Sequence, residues 1–331
     1  MLRPVVAMMR FVLLPLLGAI AALWAFAALC FDGSKLAAGG FAVAALAALL
    51  AVRPWTRAAL AIGGLCVLVL AWWLSLEPSH DREWQPDVAR DPVATIDGDR
   101  LTIRNVRNFR YRSETDYDES WEERTYDLSG LQGADFFLSH WGSPWIAHTI
   151  VSWDFGEGEH LAISIETRKE MGEAYSAILG FFRQFELYYV IADERDLIGL
   201  RTNQRGEDVY LYRLKARPEY LKAVLLDYLE EVNSLAERPE WYNAATHNCT
   251  TTIRHHAQHV SPGRPWDWRI LANGSIDQLG YERGTIETGG LPFGELRARS
   301  AVSERAREVE VGPDYSARIR EGLPTGDDGA R

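Results

Sequence analysis

Tyr242-Asn-Ala-Ala-Thr-His-Asn-Cys249-Thr-Thr-Thr-Ile-Arg-His-His-Ala-Gln-His259 is the stretch from which the rest of the chain can be read. Polar, turn-favouring residues run up to Asn248 and a helix-compatible run follows, so the pattern places Cys249 at a helix N-terminus. Unpaired backbone N–H groups and the helix dipole stabilise a thiolate there, and the same N–H groups can hold an oxyanion. The chain has 331 residues and three cysteines; Cys30 and Cys66 lie in apolar stretches near the N-terminus. A leftover thiol on an exported domain is buried and inert, linked between chains, or a working nucleophile. The helix start favours the last.

A thiolate used for acyl transfer needs a base within hydrogen-bond reach, usually histidine. There are eight histidines. His247 is too near in sequence to face Cys249, His80 sits beside the apolar N-terminal region, and His140 precedes a Trp-Gly-Ser-Pro turn. His148 is better placed. Residues 145–155 are rich in strand formers, residues 160–166 alternate apolar and polar, and Gly156-Glu-Gly158-Glu between them is a hairpin turn. Folding about that turn brings His148 opposite Ser164 to Arg168, where Glu166 can fix the imidazole tautomer. The plainer reading is a surface histidine and a salt-bridged glutamate.

His255, His256 and His259 form a second cluster, with His255 and His259 at i, i+4 on one helix face. No Glu follows His255 as a helical zinc protease requires, so a solvated face is the simpler reading. If the cluster takes a metal, Cys249 becomes a ligand and the protein belongs to another class.

Charge is unevenly placed. The formal net charge is −11, and residues 1–76 hold five of the 35 basic and one of the 46 acidic residues, leaving 30 bases against 45 acids in residues 77–331. That acidic balance argues against nucleic acid as a partner. Three apolar stretches, at 11–31, 36–52 and 58–76, have the length to span a bilayer, the last ending in the Trp72-Trp73 pair. A cleaved signal peptide fits the first stretch poorly, because it is too long and two more follow. Arg3 and Arg10 before the first stretch, with Arg53 and Arg57 between the second and third, predict a cytoplasmic N-terminus. Three crossings then put the rest of the chain outside, in a periplasm or its equivalent.

The acidic run at 114–123 lacks the spacing of a calcium loop and fits an exposed hairpin tip. Arg104, Arg107, Arg110 and Arg112 suit a solvated sheet face or lipid headgroups, and residues 218–236 form an amphipathic helix. Residues 262–321 are irregular and fit a lid or a wrapping extension. No phosphate-binding glycine loop or dinucleotide signature is present, so no cofactor is expected.

His148, Ser164-Ile-Glu-Thr-Arg168, Glu186-Leu-Tyr-Tyr-Val, Asp193-Glu-Arg-Asp196, Arg201, Tyr210-Leu-Tyr212, Tyr242-Asn243 and Asn248-Cys249-Thr-Thr follow one another in an order that resembles the Lnb N-terminal periplasmic domain family. The resemblance covers roughly residues 135–260. It implies a circularly permuted papain-like, NlpC/P60-like α+β domain, with an antiparallel sheet, an Asn-Cys motif opening a helix, and the base upstream on a strand. It further implies Cys249 as nucleophile and His148 as base, with Asn248, Ser164 and Arg168 in support. Related retinol acyltransferases carry a second histidine twelve positions after the first, which makes His160 a rival to Glu166 for the third role. The membrane spans precede the domain here, whereas in the named acyltransferase they follow it.

The expected organisation is a membrane anchor at 1–76, a linker and strand-rich part at 77–134, a catalytic domain at 135–260, a C-terminal extension at 261–321 and a disordered tail at 322–331. The expected protein is a membrane-anchored extracytoplasmic thiol acyltransferase or hydrolase. Its partners are the bilayer and a phospholipid or lipoprotein acyl donor or acceptor. The competing class is a non-catalytic envelope binding module.

Overall fold

A computed structural model describes residues 13–309, 312 and 314–324. Arg3, Arg10, the first two residues of the first apolar stretch and all but the start of the 322–331 tail lie outside the described residues. The chain divides into two units, Met1–Ser79 with Tyr175–Phe185, and His80–Ala174 with Glu186–Arg331.

The first unit holds three helices, α1 (Leu14–Phe31), α2 (Lys35–Ala51) and α3 (Trp55–Leu74). Ser34 caps α2, its hydroxyl accepting from the Ala37 N–H at 3.2 Å, and Pro54 caps α3. Phe182 packs among apolar residues of these helices, and Gln184 and Trp73 each donate to the Asp32 carboxylate at 2.7 Å. The expectation of three membrane-crossing helices is corrected. Two helices, Leu14–Phe31 and Trp55–Leu74, are long and apolar enough to cross, whereas Lys35–Ala51 has 17 residues. At about 1.5 Å per residue it reaches about 26 Å, at the lower limit of the roughly 17–25 residues that cross a hydrocarbon core.

The second unit is a mixed α+β fold. Its eight-stranded sheet runs β1 (Val93–Asp97), β2 (Arg100–Arg107), β9 (Glu186–Ala192), β8 (His160–Arg168), β7 (Ala147–Asp154), β6 (Gly133–His140) and β10 (Asp208–Arg213), with β5 (Trp121–Asp127) also pairing β2. The expected antiparallel sheet is a mixed one, since β2 meets β9 in parallel at Arg107 and Ala192. The β7–β8 hairpin turns through Gly156, Glu157 and Gly158, all at positive φ, with Asp154 opposite His160. Short strands β3 (Arg110–Tyr111) and β4 (Tyr117–Asp118) form the hairpin whose tip carries part of the acidic run.

Helix α4 (Glu194–Gly199) follows β9, and α5 (Pro218–Glu237), the amphipathic helix expected at 218–236, buries Leu221, Val224, Leu225, Tyr228, Leu229 and Val232 on its apolar stripe, with Tyr220 half-buried. Helix α6 (Cys249–Val260) packs beside it and against β7 and β8. Beyond come α7 (Ile276–Glu282), α8 (Phe293–Ser300), α9 (Ser303–Glu308) and α10 (Tyr315–Ile319). Val302, Ala306, Val309, Tyr315 and Ile319 enter one core with Phe137, Ile150 and Val190 of the sheet, so this extension wraps the fold. Arg107 is buried against Asp196, its Nη2 2.7 Å from Oδ1, and faces neither solvent nor lipid.

Candidate active site

Asn248 fixes the start of α6. Its side chain accepts from the N–H groups of Thr250 and Thr251 at 3.0 and 2.9 Å, while Thr251 Oγ1 accepts from the Asn248 N–H at 2.9 Å. This reciprocal box places Cys249 at the first helical position, buried at 8 % exposure. Thr149 on β7 offers both its side chain and its backbone to the sulfur.

His148 lies on β7, across from Ser139 of β6, and is 9 % exposed. Its Nε2 is 2.6 Å from Ser164 Oγ on β8 and 3.4 Å from Glu166 Oε1. Ser164 donates to Glu166 Oε1 at 2.7 Å, so its oxygen accepts from Nε2–H, and Nδ1 is the ring nitrogen left for the thiol. Arg201 donates to the same Glu166 oxygen at 2.8 Å and to Glu207 Oε2 at 3.2 Å, and Ser139 donates to that Glu207 oxygen at 2.5 Å. Sulfur, imidazole, hydroxyl, carboxylate, guanidinium and a second carboxylate thus follow one another with alternating charge.

The electrostatics favour an ion pair. Burial pushes the Cys249 thiol up, but the His148 imidazole, as charge and hydrogen-bond partner, and Thr149 bring it down to about 6. Burial and Arg201 oppose a charged His148, yet Glu166 and Cys249 raise it to about 9. Burial likewise works against the Glu166 carboxylate, and His148, Arg201 and Ser164 hold it well below the usual range. Between those limits the favoured state is thiolate with imidazolium.

Asn273 completes the arrangement from the extension. Its Oδ1 accepts from the Ala147 N–H at 2.8 Å, and its Nδ2 donates to the Ala147 carbonyl and to Thr250 Oγ1, each at 2.6 Å. The same nitrogen lies 3.9 Å from Cys249 Sγ. One buried amide thereby ties the strand of His148 to the helix of Cys249.

The other residues singled out from the sequence lie elsewhere. His160 sits opposite Asp154 at the far end of the hairpin, its Nδ1 3.1 Å from the Gly158 carbonyl. Six residues of strand separate that end from His148, about 20 Å at 3.4 Å per residue, so His160 does not reach it. Arg168 binds the Val88 carbonyl at 3.0 Å and Asp91 at 2.9 Å, anchoring β8 to the chain before the sheet. His256 and His259 share Asp227, at 2.7 and 2.5 Å, and His256 Nε2 meets the Tyr189 hydroxyl at 2.7 Å, while His255 is exposed. One carboxylate thus engages His256 and His259 and docks α6 onto α5, while of the i, i+4 pair read from the sequence His255 is left outside that contact. Among the described residues no group of three or more His, Cys, Asp or Glu side chains is placed to hold a metal ion.

An apolar cavity of about 200 Å³ lies beside the site, lined by Trp153, Val224, Tyr228, Ile253, Leu279 and Ile286 and, next to the thiol in sequence, by Thr250. It exceeds the roughly 150 Å³ of an engineered apolar cavity that admits benzene. Arg254, Arg264 and Arg283 also line it. The cavity, Asn273 and the link through Arg201 to Glu207 were not read from the sequence as parts of the site. Asn273 lies in an irregular stretch with no periodicity to mark it, and Arg201 stood out only through the order of motifs.

The family model of the Lnb N-terminal periplasmic domain matches residues 117–274, so the resemblance seen in the sequence is shown over that stretch. The matched segment contains His148, Ser164, Glu166, Arg201, Cys249 and Asn273. No curated protein and no solved structure gives a significant match. A periplasmic domain preceded by two helices able to cross a membrane fits an extracytoplasmic, membrane-associated protein.

Proposed function

With residues 117–274 taken as a Lnb N-terminal periplasmic domain, we propose that this chain is a thiol enzyme of the cell envelope that forms an acyl-thioester on Cys249, on a permuted papain-like scaffold. The observation that carries the reading is the coupled pair of Cys249 and His148, the first at a capped helix start and the second backed by Ser164, Glu166 and Arg201. The order of base strand before thiol helix, with α6 packed on β7 and β8, supports the permutation.

The Sγ–H proton passes to His148, and the thiolate adds to an ester or amide carbonyl. The Cys249 N–H at the helix start stabilises the oxyanion. Collapse breaks the bond to the leaving group, which takes the proton from His148 and departs. Water then gives hydrolysis and an amine gives transfer. The cavity supports an acyl substrate, because its walls are apolar and its cationic residues suit an anionic headgroup. The basic residues Arg53, between α2 and α3, and Arg57, in the first turn of α3, support a cytoplasmic loop there and a periplasmic site.

The test is acylation by p-nitrophenyl dodecanoate, followed by intact mass in detergent. The expected result is one dodecanoyl adduct at Cys249, absent from Cys249→Ala and His148→Ala variants that keep the wild-type circular dichroism. No adduct on the folded wild-type chain, or one that survives Cys249→Ala, overturns the reading in favour of a binding module.

A further inference from the structure

Two loops at the rim of the site expose apolar side chains that an acidic, water-facing domain has no reason to display. In the first, Trp141, Trp145 and Ile146 are 39, 65 and 46 % exposed; in the second, Trp266, Trp268 and Leu271 are 59, 52 and 46 % exposed. Single exposed apolar residues are ordinary, but a group at one place marks an interaction surface. The loops are joined to each other. Gly274 N–H donates to the Trp145 carbonyl at 3.0 Å, and Asn273 pairs with Ala147, the residue after Ile146. A side chain at Gly274 would meet the Pro144 carbonyl oxygen at 2.0 Å, so the close approach requires glycine.

The second loop is also held from below. Arg254 and Gln258 on α6 both donate to the Arg264 carbonyl, at 2.9 and 2.8 Å, and Arg283 donates to the Pro265 carbonyl at 3.1 Å. The tryptophans are therefore presented by a braced platform. The Arg264 side chain is exposed and forms no ion pair among the described residues.

We propose that the loops at 141–146 and 264–271 enter the interfacial layer of a lipid bilayer. Tryptophan combines a large apolar ring with an N–H that prefers the headgroup region, which suits it to that layer above any other residue. An unpaired arginine beside the rings complements anionic headgroups. The same chain supplies two helices long and apolar enough to cross a membrane. Such a tether raises the local concentration of bilayer, so a small patch suffices for engagement. Asn273, itself buried, touches both Ala147 and the Cys249 sulfur, so one amide links the platform to the thiol. The surface stands on these observations alone and holds whether or not Cys249 is acylated.

The test uses the full chain in liposomes of phosphatidylcholine and phosphatidylglycerol, either ordinary or with bromine on the upper acyl chains. Tryptophan emission is compared between wild type and Trp145→Phe/Trp266→Phe/Trp268→Phe, a variant that keeps the apolar character of the loops. The difference in emission belongs to those three rings, and tryptophans of the membrane helices cancel. The difference is expected to be largely lost in brominated lipid. An equal difference in both lipids places the rings in water or against a protein partner and overturns the proposal.

Discussion

Replacing His148 with Gln removes the charge opposite Cys249 while keeping a group able to hydrogen-bond Ser164. The thiol sits at about 6 in the intact pair, against about 8.5 for a free cysteine. The gap of about 2.5 units corresponds to roughly 3 kcal/mol of thiolate stabilisation. Burial acts the other way, so the variant thiol is expected at or above 8.5. At pH 7 the thiolate fraction then falls from about nine-tenths to about 3 %, a loss of roughly thirtyfold. The more basic thiolate is, however, roughly tenfold more nucleophilic at a Brønsted coefficient of 0.4–0.5, so the observed alkylation rate at pH 7 drops only about threefold.

A rate at one pH is thus a weak test, and the midpoint of the pH profile is the strong one. The assay is iodoacetamide labelling read at the peptide containing Cys249, in a background with Cys30→Ala and Cys66→Ala. Because the folded thiol is depressed, reactivity should rise through about pH 6 in the wild type and only near or above 8.5 in His148→Gln. A wild-type midpoint near 8.5, or a midpoint that His148→Gln leaves in place, would refute the ion pair.

Two further outcomes follow from the same geometry. Glu166 is what chiefly raises His148 against burial and Arg201; Glu166→Gln should therefore bring the alkaline limb of dodecanoate acylation below the wild-type value of about 9, and an unmoved limb would remove Glu166 from the site. Asn273→Ala strands the buried Ala147 N–H and carbonyl and should lower the urea-unfolding free energy by about 2 kcal/mol or more, with a rise in the Cys249 midpoint; unchanged stability would mean that the clasp is not formed.

Local signals carried much of this site. The helix start at Cys249 was legible because polar, turn-favouring residues end at Asn248, where the structure adds a capping box with Thr251, and the β7–β8 hairpin because Gly156 and Gly158 tolerate positive φ. Period-two spacing about that turn was enough to bring Ser164 and Glu166 to His148. What stayed hidden was set by tertiary context. Arg201 sits in a five-residue π-helical turn and Asn273 in a three-residue 3-10 turn, both too short to leave a period in the sequence. The parallel contact of β2 with β9 joins residues 107 and 192, a separation over which no local pattern acts. The second apolar stretch, 36–52, is as long as the helix Lys35–Ala51 that forms there; at 17 residues it stands at the lower limit for a span, which apolar composition alone does not reveal.

The packing of Val302, Ala306, Val309, Tyr315 and Ile319 onto the sheet bears on when the site is complete. Synthesis delivers His148 and Cys249 well before Asn273, Tyr315 and Ile319, yet the core and the clasp need the later residues. The contacts that Asn273 makes with Ala147, Thr250 and the Cys249 sulfur are therefore available only once the extension has been made. On the proposed thiol-enzyme reading, a chain cut short before residue 273 keeps both His148 and Cys249 but lacks the amide that clasps them.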